Sequence, residues 1–85
     1  MAMALLVRPA AQKGLAGIPK AERDALVEKL RAIANDPYGH HPSAKRLQGT
    51  AGFSVRQGSW RAVYRIDGNR DVIVIEVGPR GSIYR

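Results

Sequence analysis

The spacing of apolar positions along the chain changes partway, from helix-like in the front half to strand-like in the rear. Met3 to Arg8 is a short apolar run that Pro9 stops, and it predicts a first strand. Pro9 suits the first turn of a helix, where its missing N–H costs nothing. Ala10 to Leu15 then predicts a brief helix, weakened by Gly14 and Gly17. A stronger helix starts at Pro19, with Glu22 and Asp24 early, where negative charge complements the helix dipole. Its apolar stripe is Leu26, Leu30, Ile33 and Ala34, widened by Val27. Asn35-Asp36-Pro37 ends it, and Tyr38 to Gly52 reads as a long loop.

Beyond Gly52 the period becomes two. Phe53 to Arg56 alternates, Gly58-Ser59 turns, and Trp60 to Ile66 alternates again. Asp67-Gly68-Asn69 marks the next turn. Val72 to Val77 is nearly all apolar, the pattern of an interior strand covered on both faces. Ser82 to Tyr84 predicts a last short strand.

The expected architecture is α+β: a small antiparallel sheet with two N-terminal helices packed on one face. At 85 residues, one domain spanning 1–85 is expected. The alternation sorts the side chains. Phe53, Val55, Trp60, Ala62, Tyr64 and Ile66 should face the helices, Trp60 and Tyr64 as core residues. Ser54, Arg56, Arg61 and Arg65 then share the opposite face, and a slip of one residue would bury the arginines. Glu76, inside the apolar strand, is expected to pair with an arginine.

Charge changes the picture most. Fourteen Lys/Arg against seven Asp/Glu give +7. From His40 onward there are eight basic residues against three acidic, and seven of the eight are arginine. The planar guanidinium fork matches phosphate, so the balance points to a polyanionic partner. No cysteine is present, which excludes disulfides and cysteine-based zinc sites. His40 and His41 lack supporting ligands, so no metal and no cofactor are expected. The N-terminal apolar run is too short for a signal peptide and no stretch is long enough to span a bilayer. A cytoplasmic protein without membrane partners is expected.

The segment Lys45-Arg46-Leu47-Gln48-Gly49, then Phe53-Ser54-Val55-Arg56, then Gly58-Ser59-Trp60-Arg61-Ala62-Val63-Tyr64-Arg65-Ile66, resembles the RelE/ParE toxin superfamily of type II toxin–antitoxin systems. Val77-Gly78-Pro79-Arg80 and Ile83-Tyr84-Arg85 continue the likeness. The front half fits as strand, proline, short helix and a second helix ending in proline, so the resemblance covers almost the whole chain. It implies a RelE-like, microbial-ribonuclease-like fold and a cognate antitoxin partner. For the RelE branch it implies a metal-independent endoribonuclease that cleaves mRNA on the ribosome and so inhibits translation. For the ParE branch it implies inhibition of DNA gyrase without cleavage. A toxin acting mainly as antitoxin partner and co-repressor is the third possibility.

Residue by residue, the resemblance implies catalytic or phosphate-binding roles for Arg61 and Arg80, and an active-site role for Tyr84. Arg56 matches a basic residue on the preceding strand. The basic character of Lys45, Arg46 and Arg65 extends the expected RNA-binding set. Two departures stand out: Ser54 falls where RelE proper has a lysine, and Pro79 stands where many relatives carry His or Lys. The chemistry needs deprotonation of a 2′-OH, stabilisation of a crowded phosphate and protonation of the leaving 5′-oxygen. Arginines suit the second task and are poor bases near neutral pH.

Overall fold

The structure, a computed structural model, describes residues 5–47, 52–68 and 71–79. Its elements run β1 (Leu5–Val7), α1 (Pro9–Ala16), α2 (Lys20–Asn35), β2 (Ala44–Arg46), β3 (Phe53–Gln57), β4 (Trp60–Ile66) and β5 (Val72–Pro79). The described strands form one sheet in the order β1-β5-β4-β3-β2. β2, β3, β4 and β5 pair antiparallel in succession, while β1 lies parallel to β5, which makes the sheet mixed. The two helices return the chain from β1 to the far edge of the sheet, as predicted for an α+β domain.

Each helix buries the side its sequence marks. In α2, Leu26, Leu30, Ile33 and Ala34 are buried, the stripe read from the spacing. They meet Val55, Ala62, Tyr64, Val72, Val74 and Val77 from the sheet in one core. Each large side chain so covered contributes roughly 1.5–3 kcal/mol. Trp60, Phe53 and Ile66 are half-buried against that core. α1 starts with Pro9 in its first turn after an extended Arg8. Gly14 has a structural role beyond weakening a helix. A Cβ there would collide with the Val77 carbonyl oxygen and lie 2.8 Å from the carbonyl carbon. Its bare backbone is what lets α1 sit directly on β5.

Two features differ from expectation. Ala44–Arg46, read as loop, is an edge strand on β3, pairing Ala44 with Val55, Lys45 with Ser54 and Arg46 with Phe53. Three residues without apolar alternation carry no local strand signal; the pairing with β3 makes this strand. Second, β5 carries a bulge. Val63 pairs with Glu76 but Tyr64 pairs with Val74, which leaves Ile75 as an extra residue. Val72 and Val74 point to the core before the bulge and Val77 after it. Without it, Glu76 would share the phase of Val72 and Val74 and face the core. The bulge turns it out to solvent, where it forms no ion pair with a described residue; the expected pairing with an arginine is not found.

The β3–β4 turn is Gly58-Ser59, with Gly58 at φ +58°, a left-handed conformation that glycine adopts without strain. The loop after β4 is closed by the Asp67 carboxylate, which accepts a hydrogen bond from the Asp71 N–H at 3.0 Å. The predicted strand at Ser82–Tyr84 lies outside the described residues. Among the described residues no helix is long and apolar enough to cross a membrane.

Candidate nucleic-acid interface

The face of the sheet opposite the helices holds the residues that strand alternation placed there. The register sets them in rows. Lys45, Ser54, Val63 and Glu76 lie side by side across β2, β3, β4 and β5. Arg56 and Arg61 form the next row, directly opposite one another and followed by Gly78. Directly opposed side chains on antiparallel strands have Cβ atoms roughly 4.5–5.5 Å apart, and like charges in that position repel. Two arginines placed so are stabilised by an anion between them. Arg56 is exposed, whereas Arg61 is half-buried and its Nε is fully buried.

These side chains enclose a pocket. Pro42, Ser43, Lys45, Ser54, Arg56 and Arg61 line a volume of about 150 Å³. Three cations stand around it. Ser54, at 4% exposure, is the buried polar residue among the described ones. Lys29 of α2 reaches from the other side of β3 and donates from Nζ to the Arg56 carbonyl at 2.8 Å, which ties the helix to the strand that carries the site.

The remaining basic positions disperse. Arg46 follows Lys45 on the same strand and so points to the opposite face. There it lines a cleft of about 280 Å³ with His40, His41, Phe53 and Tyr64. Arg65 is exposed opposite Ile73, four residues along β4 from Arg61, or roughly 13 Å at strand rise. Arg80 and Tyr84 lie outside the described residues. The structure therefore brings Lys45, Arg56 and Arg61 together and leaves Arg46 and Arg65 apart. Sequence reasoning missed Pro42 and Ser43 as pocket walls, because both enter the site through the unforeseen β2. The opposition of Arg56 and Arg61 was available from symmetry: each lies two residues from the Gly58-Ser59 turn.

Of the two histidines, His41 serves the loop. His41 Nε2 lies 2.7 Å from the Asp36 carbonyl oxygen and donates to it, fastening the segment after α2. Phe53 and Tyr64 stack with centroids 5.3 Å apart. Burial pushes the Tyr64 phenol from its ordinary 10.0 up to about 12, so it is neutral at physiological pH. Among the described residues no three His, Cys, Asp or Glu side chains group to hold a metal ion.

The architecture, helices on one face of a sheet whose other face is cationic, is that of a known class of small toxins. Residues 5–84 match the profile of the ParE toxin of the type II toxin–antitoxin system parDE. The chain belongs to this RelE/ParE toxin family. Solved structures agree with the assignment. The chain resembles a chain of the Mycobacterium tuberculosis RelBE2 toxin–antitoxin complex at 25% identity and a TM-score of 0.76, covering 94% of this chain and 100% of that one. The isolated Escherichia coli RelE toxin matches at 24% identity and a TM-score of 0.78, over 98% of this chain and 92% of its own. The archaeal RelE–RelB complex from Pyrococcus horikoshii gives 21% identity and a TM-score of 0.79, over 96% and 99%. Among curated proteins no relative matches.

Proposed function

We propose that this chain is the ribonuclease type of RelE/ParE toxin, cleaving mRNA on the ribosome and held in check by a cognate antitoxin. The observation that carries the reading is the pocket at which Lys45, Arg56 and Arg61 converge on the helix-free face. A phosphodiester seated there is neutralised by two opposed guanidinium groups, which strengthen their hold as negative charge builds on the phosphate during attack by the 2′-OH. Arg61, with its Nε already buried, is the principal clamp. Arg56 and Lys45 hold the neighbouring charge and Arg46 and Arg65 guide flanking backbone; by the family resemblance Arg80 serves as a second phosphate ligand and Tyr84 orients the RNA. The described residues that line the pocket include neither a histidine nor a carboxylate. Positioning on the ribosome compensates for a modest base, and cleavage of free RNA is slow. The work is cytoplasmic and needs no metal.

Antitoxin pairing is supported by the relatives solved as complexes, RelBE2 of M. tuberculosis and RelE–RelB of P. horikoshii. An acidic segment of the partner matches the basic face.

A second reading is a gyrase inhibitor without nuclease activity. It is favoured by the ParE description of the matching profile and by a pocket lining that, among the described residues, holds neither a histidine nor a carboxylate. Induced expression of wild type beside Arg61→Ala, with primer-extension mapping of a reporter transcript, separates the two. Growth arrest with cuts made by wild type alone supports the ribonuclease. Arrest with a DNA-damage response and no cuts supports gyrase. Absence of arrest leaves a partner-only protein.

A further inference from the structure

We propose that Ser54 is a phosphate-binding residue: its hydroxyl donates to an oxygen of a phosphate seated among Lys45, Arg56 and Arg61. The proposal rests on the ribonuclease reading and names a contact that charge alone does not reveal.

Ser54 occupies the middle of the cationic face. Lys45 stands directly opposite it on β2 and Val63 on β4, while Arg56 follows two residues along β3 on the same side. Its neighbours Lys45 and Arg56 are exposed, yet Ser54 is only 4% exposed. A short side chain surrounded by long ones makes a recessed floor. The pocket of about 150 Å³ exists because position 54 ends at one oxygen. A longer side chain there would fill it.

The Ser54 hydroxyl opens onto the pocket, so a hydrogen-bond partner can come from what the pocket holds. Among the described residues the Ser54 hydroxyl has none. It faces a pocket whose rim is cationic, so the fitting guest carries negative charge and accepts hydrogen bonds. A phosphate does both. One non-bridging oxygen reaches down to Ser54 Oγ while the other meets the guanidinium groups at the rim. A carboxylate is planar and offers its two oxygens in one plane; a tetrahedral oxyanion can address floor and rim together. The hydroxyl donates without carrying charge, which adds a contact without worsening the repulsion between Arg56 and Arg61.

The test is titration of the purified chain with inorganic phosphate against chloride at matched ionic strength, followed by amide chemical shifts of β3 and β4. Wild type should show saturable shifts centred on Ser54, Arg56 and Arg61. Ser54→Ala, which keeps the cavity and removes the donor, should weaken phosphate binding by about tenfold. Ser54→Thr and Ser54→Val form a near-isosteric pair, and only the threonine should retain affinity. A 2′-O-methylated trinucleotide, which lacks the attacking hydroxyl, should displace the phosphate. Equal affinity of wild type and Ser54→Ala in folded proteins, or no phosphate-specific shift in wild type, would overturn the role of Ser54. Failure of the trinucleotide to compete would assign the pocket to free phosphate and also overturn the proposal. RNA cleavage is read separately. Phosphate binding without cleavage would remove the ribonuclease reading and leave Ser54 a phosphate ligand, whereas cleavage untouched by Ser54→Ala would do the reverse.

Discussion

Replacing Gly14 by alanine sets two opposite effects against each other. In an exposed helix interior the change is worth about 0.8–1 kcal/mol in favour of alanine. Here the new methyl would strike the Val77 carbonyl oxygen, with the carbonyl carbon at 2.8 Å and the Val77 Cβ at 3.1 Å. The obstacle is backbone of a strand held to β4 at this position, where Val77 pairs with Ala62, so it cannot swing away as a side-chain tip would. The helix has to lift, and its contact with β5 opens along its length. Overpacking of this kind costs typically ~1–3 kcal/mol, and a rigid backbone neighbour puts Gly14→Ala at the upper end. Subtracting the propensity gain leaves a net loss of about 2 kcal/mol, or a fall in Tm of roughly 8–16 °C for a domain of this size. Thermal unfolding followed by circular dichroism measures it. Gly17→Ala is the control: its Cβ would meet only the Gly14 carbonyl oxygen at 3.6 Å, an ordinary contact, and its φ of −85° suits alanine. That variant should be neutral or more stable by about 0.4–1 kcal/mol. A Gly14→Ala protein as stable as wild type would refute the account of how α1 packs.

Three further outcomes are expected. Because burial holds the Tyr64 phenol up to about 12 against an ordinary 10.0, the unfolded chain gives up this proton first. Stability from this group is complete below pH 10 and falls as pH rises toward 12, by a loss on the order of 2–3 kcal/mol at most. Urea midpoints measured across that window should show the loss, and Tyr64→Phe should remove its share of the slope. Lys29→Met removes the hydrogen bond to the Arg56 carbonyl and should cost about 0.5–1.5 kcal/mol in denaturant unfolding, with an unchanged midpoint counting against that tie. Arg56→Ala should weaken binding of single-stranded RNA and lower the slope of log affinity against log salt by about 0.7, the share of one phosphate contact; an unchanged slope would place Arg56 outside the interface.

Much of this molecule can be read from periodicity, because burial enforces it. The α2 stripe from Leu26 to Ala34 and the alternation through Phe53–Ile66 each bury one face, and the structure keeps both. The cationic face follows from the same alternation, since a slipped register would bury arginines. What stayed hidden depends on partners distant in sequence. β2 is three residues long and exists only by pairing with β3. The bulge at Ile75 hides in a run of apolar residues, where Glu76 was the sole clue that the phase must change. Gly14 reads locally as a helix breaker, and its purpose lies across the core at Val77. Ser54 was placed on the correct face, but its burial comes from the heights of its neighbours rather than from its own identity. Lys45 and Arg46, adjacent in a presumed loop, are sent to opposite faces once that loop is a strand.

The most direct test of the central claim is a side-by-side assay of purified wild type and Arg61→Ala. Each is added to programmed ribosomes carrying mRNA, to the same mRNA free in solution, and to a gyrase supercoiling reaction. The ribonuclease account predicts cuts on the ribosome by wild type, a loss on the order of 10²–10³-fold for Arg61→Ala, little cleavage of free mRNA, and unimpaired supercoiling. Intact mRNA on ribosomes together with blocked supercoiling would contradict it and assign the cationic face to a protein target.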